Sequence, residues 1–180
     1  YQAKEAGRDA VTVFDTSMRD RAAQRLELER DLRHALERHE LQLHYQPVVR
    51  LPDGEIEGFE ALLRWSHPSR GQIPPMSFIP VAEDTGLIVL IGAWVVEEAC
   101  RQLAIWRREI PGAGQLTMAV NVSARQLRDE HVVDTVRHAI STHRLPPEAI
   151  HLELTESVLM DNPTSAAELL NRLRGLGVKL

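Results

Sequence analysis

The sequence holds a single cysteine, Cys100, set inside an apolar helical pattern. That excludes a disulfide framework and any metal site built from several thiolates, and it makes a reducing, cytoplasmic setting the expectation. Long apolar runs are also missing. The longest, Leu87 to Val96, is closed by Glu97 and Glu98 and is far short of the roughly 20 residues that a membrane-spanning helix needs. There is no cationic surplus: 21 Lys and Arg face 26 Asp and Glu, a formal net charge of −5, so the broad basic footprint of a DNA- or RNA-binding protein is lacking. A small anionic ligand would need a metal or a few placed cations. No internal repeat and no low-complexity segment occurs. The eight histidines, His39, His44 and His67 among them, are scattered without metal-ligand spacing and read as surface or core residues. The chain opens at Tyr1 with neither a methionine nor a basic-then-apolar leader, which predicts a segment of a longer protein. A membrane anchor upstream of it is compatible with that reading.

What is present is a clear change of period. Residues 1–16 read as the end of a helix, a stop at Gly7 and a short strand. Asp15 to Glu40 has helix-forming composition, with Leu28, Leu32, Ala35 and Leu36 at helical spacing; its many charges suggest a solvated or domain-bridging helix. The period then becomes two. "LQLHYQPVVRL" and "GEIEGFEALLRW" read as strands joined by a Pro52–Gly54 turn. "HPSRGQIPP" reads as a loop, "MSFIPVAEDTG" as a short helix stopped by Gly86, and Leu87–Glu109 as a long buried helix. Strands are predicted at Leu116–Ser123 and Ile150–Ser157, with helices over about 125–143 and 165–173. "VKL" begins one more strand. The order predicts an α/β fold with a mostly parallel sheet, and the repeating βα pattern is that of half a (β/α)8 barrel.

Side chains alternate faces along a strand. Gly58, Glu60, Leu62 and Arg64 then share one face, as do Ala119, Asn121 and Ser123, and His151, Glu153 and Thr155. The opposite, apolar faces belong under helices, and the polar faces point into a sheet interior or barrel mouth. Glu60, Asn121 and Glu153 thus arrive from three successive strands, toward the C-terminal ends where βα enzymes carry their chemistry. All three offer oxygen, which suits a hard cation, Mg²⁺ or Mn²⁺. Arg64 offers a forked cation for a phosphate. Carboxylates around a metal beside an arginine suit phosphoester chemistry. Taken singly, each residue has a blander reading: Glu60 as a structural carboxylate paired with Arg64, Asn121 as a hydrogen-bonding strand-end residue, and Glu156 as a carboxylate at a helix entry. Trp65, Trp94 and Trp106 read as packing residues.

The strings "YQP" (Tyr45–Pro47), "EALLRW" (Glu60–Trp65), "FIPVAEDTGLI" (Phe78–Ile88), "NVS" (Asn121–Ser123) and "ELTES" (Glu153–Ser157) resemble, in order and spacing, the EAL domain, whose members are cyclic di-GMP phosphodiesterases. "YQAKEAGRDAVTVF" resembles the tail of a GGDEF domain. The resemblance implies a GGDEF-like remnant over 1–16 and the N-terminal portion of an EAL domain over 17–180, including a leading helix at about 17–40. It implies a TIM-like barrel with an antiparallel first strand, here carried through about half its length, and hydrolysis of cyclic di-GMP to linear pGpG with Mg²⁺ or Mn²⁺. Glu60, Asn121 and Glu153 match metal ligands; Gln46, Leu62 and Arg64 match substrate contacts; and Glu156 matches a residue that braces an active-site loop. The family's paired-Asp "DDFG" segment and its later lysine, glutamate and glutamine would fall after Leu180, so this segment alone is expected to be inactive and poorly folded. A degenerate EAL domain that holds cyclic di-GMP or a protein partner without cleaving it is the rival. The linker helix also fits a regulatory or homodimerising scaffold.

Overall fold

The computed structural model describes residues 16–154 and 163–180. Thr16–Ala35 forms the leading helix α1. A hairpin of strands β1 (Leu41–Val49) and β2 (Ile56–His67) follows, turned by Gly54 at φ 71° with its N–H on the carbonyl of Arg50 at 2.8 Å. A three-residue strand β3 (Gly71–Ile73) precedes helices α2 (Pro75–Thr85) and α3 (Leu87–Glu109). Gly86, at φ 80°, ends one and starts the other, a left-handed conformation that glycine adopts without penalty. Strand β4 (Thr117–Val122), helix α4 (Val132–His143), strand β5 (Ile150–Leu154) and helix α5 (Pro163–Gly175) complete the order. No single helix among the described residues is long and apolar enough to cross a membrane.

The sheet runs β1-β2-β4-β5, with β3 also paired to β2. β1 is antiparallel to β2, whereas β2, β4 and β5 are parallel. Lys179 makes a parallel bridge to His151, so the predicted last strand begins where expected. The sheet is α/β, mixed and not closed, which matches the expected partial barrel with its reversed first strand. One face is the core: Met118, Val120, Val122, Ile150 and Leu152 are almost wholly buried beside Ile91, Val95 and Val136 from the helices. Transferring such side chains out of water is the main stabilising term. The other face carries Glu60, Asn121, His151 and Glu153.

Three segments differ from the sequence expectation. "HPSRGQIPP" is not all loop, because Gly71–Ile73 folds back to pair with Trp65–His67. The helix expected from about residue 125 starts at Val132; Asp129 is extended (φ −84°, ψ 119°) and its carboxylate accepts the N–H of His131 at 3.1 Å, an Asx turn that interrupts the helix. The leading helix is not merely solvated. It stops at Ala35 and docks through buried Leu32 and Ala35. Polar pairs flank that seam: Asp31 with His67 at 3.4 Å, Glu27 with Arg70 at 2.7 Å, and Arg25 with Asp84. Next to it, Trp65 is wholly buried and donates its indole N–H to the buried carboxylate of Glu40 at 2.9 Å, so it packs as expected.

Candidate active site

β2 is the strand around which the site is built. On one edge it pairs with β1 along almost its full length, setting Gln46 opposite Glu60, His44 opposite Leu62 and Gln42 opposite Arg64. Its other edge is shared. β4 pairs with Gly58–Ala61 and β3 with Trp65–His67. Leu62, Leu63 and Arg64 lie between these two pairings, and a cleft of about 340 Å³ opens beside them. Leu62 and Arg64 line it from β2, Asn121 and Ser123 from the end of β4, and Ile79 and Glu83 from α2.

Close approach of β2 and β4 depends on Gly58. A Cβ there would lie 2.2 Å from Thr117 Oγ1 and 2.6 Å from the Thr117 carbonyl oxygen, so only a residue without a side chain fits. Two residues on, Glu60 reaches diagonally across to Asn121, whose Nδ2 donates to Glu60 Oε1 at 2.8 Å. Asn121 in turn stands directly opposite Glu153 on β5. The three oxygen-bearing residues predicted from alternation are therefore brought onto one face of three adjacent strands. Burial raises the proton affinity of Glu153 above the ordinary carboxylate value, and the negative charge of Glu60 raises it further. Such a carboxylate pair gains from a cation placed between its members.

The pairing of Glu60 with Arg64, one of the readings open from the sequence, is not formed. Arg64 donates from Nη1 to the carbonyl of Leu63 at 2.9 Å and faces the cleft, while Glu60 is engaged by Asn121. Gln46 is exposed at its place opposite Glu60. Glu156 lies outside the described residues. Among the described residues, no group of three or more His, Cys, Asp or Glu side chains is placed to hold a metal; the oxygen donors on this face are two carboxylates and an amide. They fit a hard cation by type. The amide nitrogen of Asn121 is spent on Glu60, which leaves its Oδ1 as the donor. His151 shares this face, as alternation with Glu153 predicts, and lies opposite Ala119; His44 joins it opposite Leu62, a position that follows from strand register, which the sequence alone does not fix.

The EAL domain family matches residues 29–180. This chain belongs to the EAL domain family. It is 47% identical over 178 residues to the bifunctional diguanylate cyclase/cyclic di-GMP phosphodiesterase MucR of Pseudomonas aeruginosa, covering 99% of this chain and 26% of that protein. It is 40% identical over 180 residues to the cyclic di-GMP phosphodiesterase PdeR of Escherichia coli, covering 100% of this chain and 27% of that protein. The chain thus spans about a quarter of the length of these relatives. Among solved structures, the PaMucR phosphodiesterase in complex with c-di-GMP superposes with a TM-score of 0.79 at 48% identity, over 84% of this chain and 61% of that one. The FimX EAL domain of Pseudomonas aeruginosa bound to c-di-GMP gives 0.73 at 28% identity, over 84% and 60%. The EAL fold explains the reversed β1 and the open sheet, since the chain carries the early strands of the barrel.

Proposed function

We propose that this EAL chain is the N-terminal part of a cyclic di-GMP phosphodiesterase that cleaves one phosphodiester bond to give linear pGpG. The observation that carries the reading is the placing of Glu60, Asn121 and Glu153 on one face of three neighbouring strands, with Asn121 bonded to Glu60 at 2.8 Å and the proton affinity of Glu153 raised. The names of MucR and PdeR, and the c-di-GMP held by the two structural relatives, support the substrate.

In this reading Glu60, Asn121 through Oδ1, and Glu153 would hold Mg²⁺ or Mn²⁺. When bound, such an ion supplies Lewis-acid chemistry, polarising a phosphoryl oxygen and making water a better nucleophile near neutral pH. The residues of the chain do the rest. Arg64, at the edge of the cleft, binds a phosphate through its planar fork. Leu62 forms an apolar wall beside it, and Gln46, opposite Glu60, orients the substrate by hydrogen bonding. Asn121 holds the Glu60 carboxylate in place through Nδ2. Residues 1–16 are read as the tail of a GGDEF-like domain, in keeping with the bifunctional name of MucR, and the whole protein is taken to be cytoplasmic or anchored with this domain facing the cytoplasm.

The test is turnover by the full-length protein with cyclic di-GMP and Mn²⁺, with and without chelator, read as pGpG by chromatography. Chelator-sensitive pGpG that disappears in Glu60→Ala is the expected result. Binding of the nucleotide without product would replace the enzyme by a receptor. Turnover by Glu60→Ala at ordinary Mg²⁺ would remove Glu60 from the metal site.

A further inference from the structure

We infer that Gln126, together with Gly92, is a positioning residue for Asn121. This rests on the metal-site reading above and extends it to residues outside the strand face. Gln126 follows the end of β4 and is only 6% exposed. Its side chain folds back on the strand, where Oε1 accepts the N–H of Ser123 at 3.0 Å, and the backbone N–H of Gln126 donates to Ser123 Oγ at 3.3 Å. The N–H of Leu127 reaches the Ser123 carbonyl at 3.3 Å. Ser123 is thus held at its N–H, its hydroxyl and its carbonyl, two residues after Asn121. Val122, between them, is 3% exposed and pinned in the core. The stretch that carries Asn121 out of the sheet therefore has little freedom.

Gly92 makes this lock fit. It lies well inside α3, where glycine is disfavoured relative to alanine. A Cβ at Gly92 would fall 1.8 Å from Gln126 Nε2 and 2.5 Å from Gln126 Cδ. The carboxamide of Gln126 occupies the space the helix leaves by having no side chain there. Helix α3, the turn after β4 and Asn121 are consequently one packed unit, and both Gly92 and Gln126 line the cleft beside Arg64. Binding constellations need to be held to within about 0.5 Å by packing and supporting hydrogen bonds, and side chains that orient metal-binding groups typically account for about ten- to a hundredfold in metal affinity.

The experiment is Mn²⁺ titration of the full-length protein followed by the paramagnetic resonance signal of free Mn²⁺, with thermal unfolding measured in parallel. Gln126→Met keeps length and burial but removes the acceptor for Ser123, and should weaken Mn²⁺ about tenfold. Gly92→Ala should weaken it similarly by displacing the carboxamide, and should add nothing to Gln126→Ala, which has no carboxamide left to displace. A Gln126→Met protein that melts at a lower temperature yet binds Mn²⁺ within about twofold of wild type would overturn the inference, because only a packing role predicts that split. Should Gln126→Met fail to fold, Ser123→Ala, which removes a single acceptor, is expected to shift Mn²⁺ affinity in the same direction; an unchanged affinity there counts against the inference. Asn121→Ala separates the two levels. If it weakens Mn²⁺ while the Gln126 and Gly92 variants do not, only the positioning role falls; if it has no effect, the metal site falls and takes this inference with it.

Discussion

Gly58→Ala is the substitution whose effect can be worked most directly from the structure. The new methyl would meet Thr117 at two atoms, 2.2 Å from Oγ1 and 2.6 Å from the carbonyl oxygen. The hydroxyl can rotate away; the carbonyl cannot, because it belongs to the strand paired with β2. It stands about 0.8 Å inside the 3.4 Å at which ordinary contact begins, so β2 and β4 must separate locally by about that amount. Overpacking of this kind costs about 1–3 kcal/mol. The separation is applied two residues from Glu60 and lengthens the 2.8 Å bond from Asn121 beyond hydrogen-bonding range. Stability should therefore fall, and Mn²⁺ affinity with it. Urea unfolding gives the first quantity and Mn²⁺ titration the second, both on the full-length protein. Adding Thr117→Ala should recover only part of the loss, since the carbonyl contact remains. A Gly58→Ala protein within about 0.5 kcal/mol of wild type, the size of an ordinary surface substitution, would refute the claim that glycine is required for this strand approach.

Two further outcomes are expected. Arg64→Ala should raise the dissociation constant for cyclic di-GMP by about tenfold or more, the loss of a charge-assisted pair of roughly 1.5–3 kcal/mol; isothermal titration with Ca²⁺ in place of Mn²⁺ measures it, and an unchanged constant would remove Arg64 from the phosphate. The raised proton affinity of Glu153 carries a sign. A carboxyl that binds its proton more tightly when folded favours the folded state below its unfolded pKa, and that advantage is lost as pH rises through the folded value. In the metal-free protein, Glu153→Gln should therefore flatten part of the stability loss between acidic and neutral pH. An identical pH profile for variant and wild type in chelator would contradict the crowding of Glu60 and Glu153.

Alternation made the oxygen-bearing face legible. Glu60, Asn121 and Glu153 each sit at a period-two position among apolar neighbours, and a strand has only two faces on which to put them. The hairpin, Gly86 and the span of α3 were legible from turn chemistry and periodicity. β3 was not, because three residues that begin with a glycine and run into two prolines carry no period; they become a strand only when the edge of β2 at Trp65–His67 offers hydrogen bonds. The docking of α1 was hidden by its charges, since a narrow seam of Leu32 and Ala35 is outweighed in composition by the flanking Arg, Asp and Glu. The late start of α4 turned on the carboxylate of Asp129, a competition between side chain and helix that propensity does not decide. Gln126 was invisible for a different reason. Its role depends on what is missing at Gly92, thirty-odd residues away, and that complementarity exists only once helix and strand are packed.

The reversed direction of β1 settles where the domain can be addressed. Because Leu41 lies opposite Trp65, the chain enters the sheet at the same end as Arg64 and the cleft. Had β1 run parallel, α1 would feed in at the opposite end, remote from Arg64 and the cleft. As built, α1 is joined to the end of β2 through Asp31 and His67 and to α2 through Arg25 and Asp84. That helix therefore bears directly on two elements that frame the cleft. The polarity of one strand thus makes the entrance of the polypeptide and the entrance of the ligand neighbours.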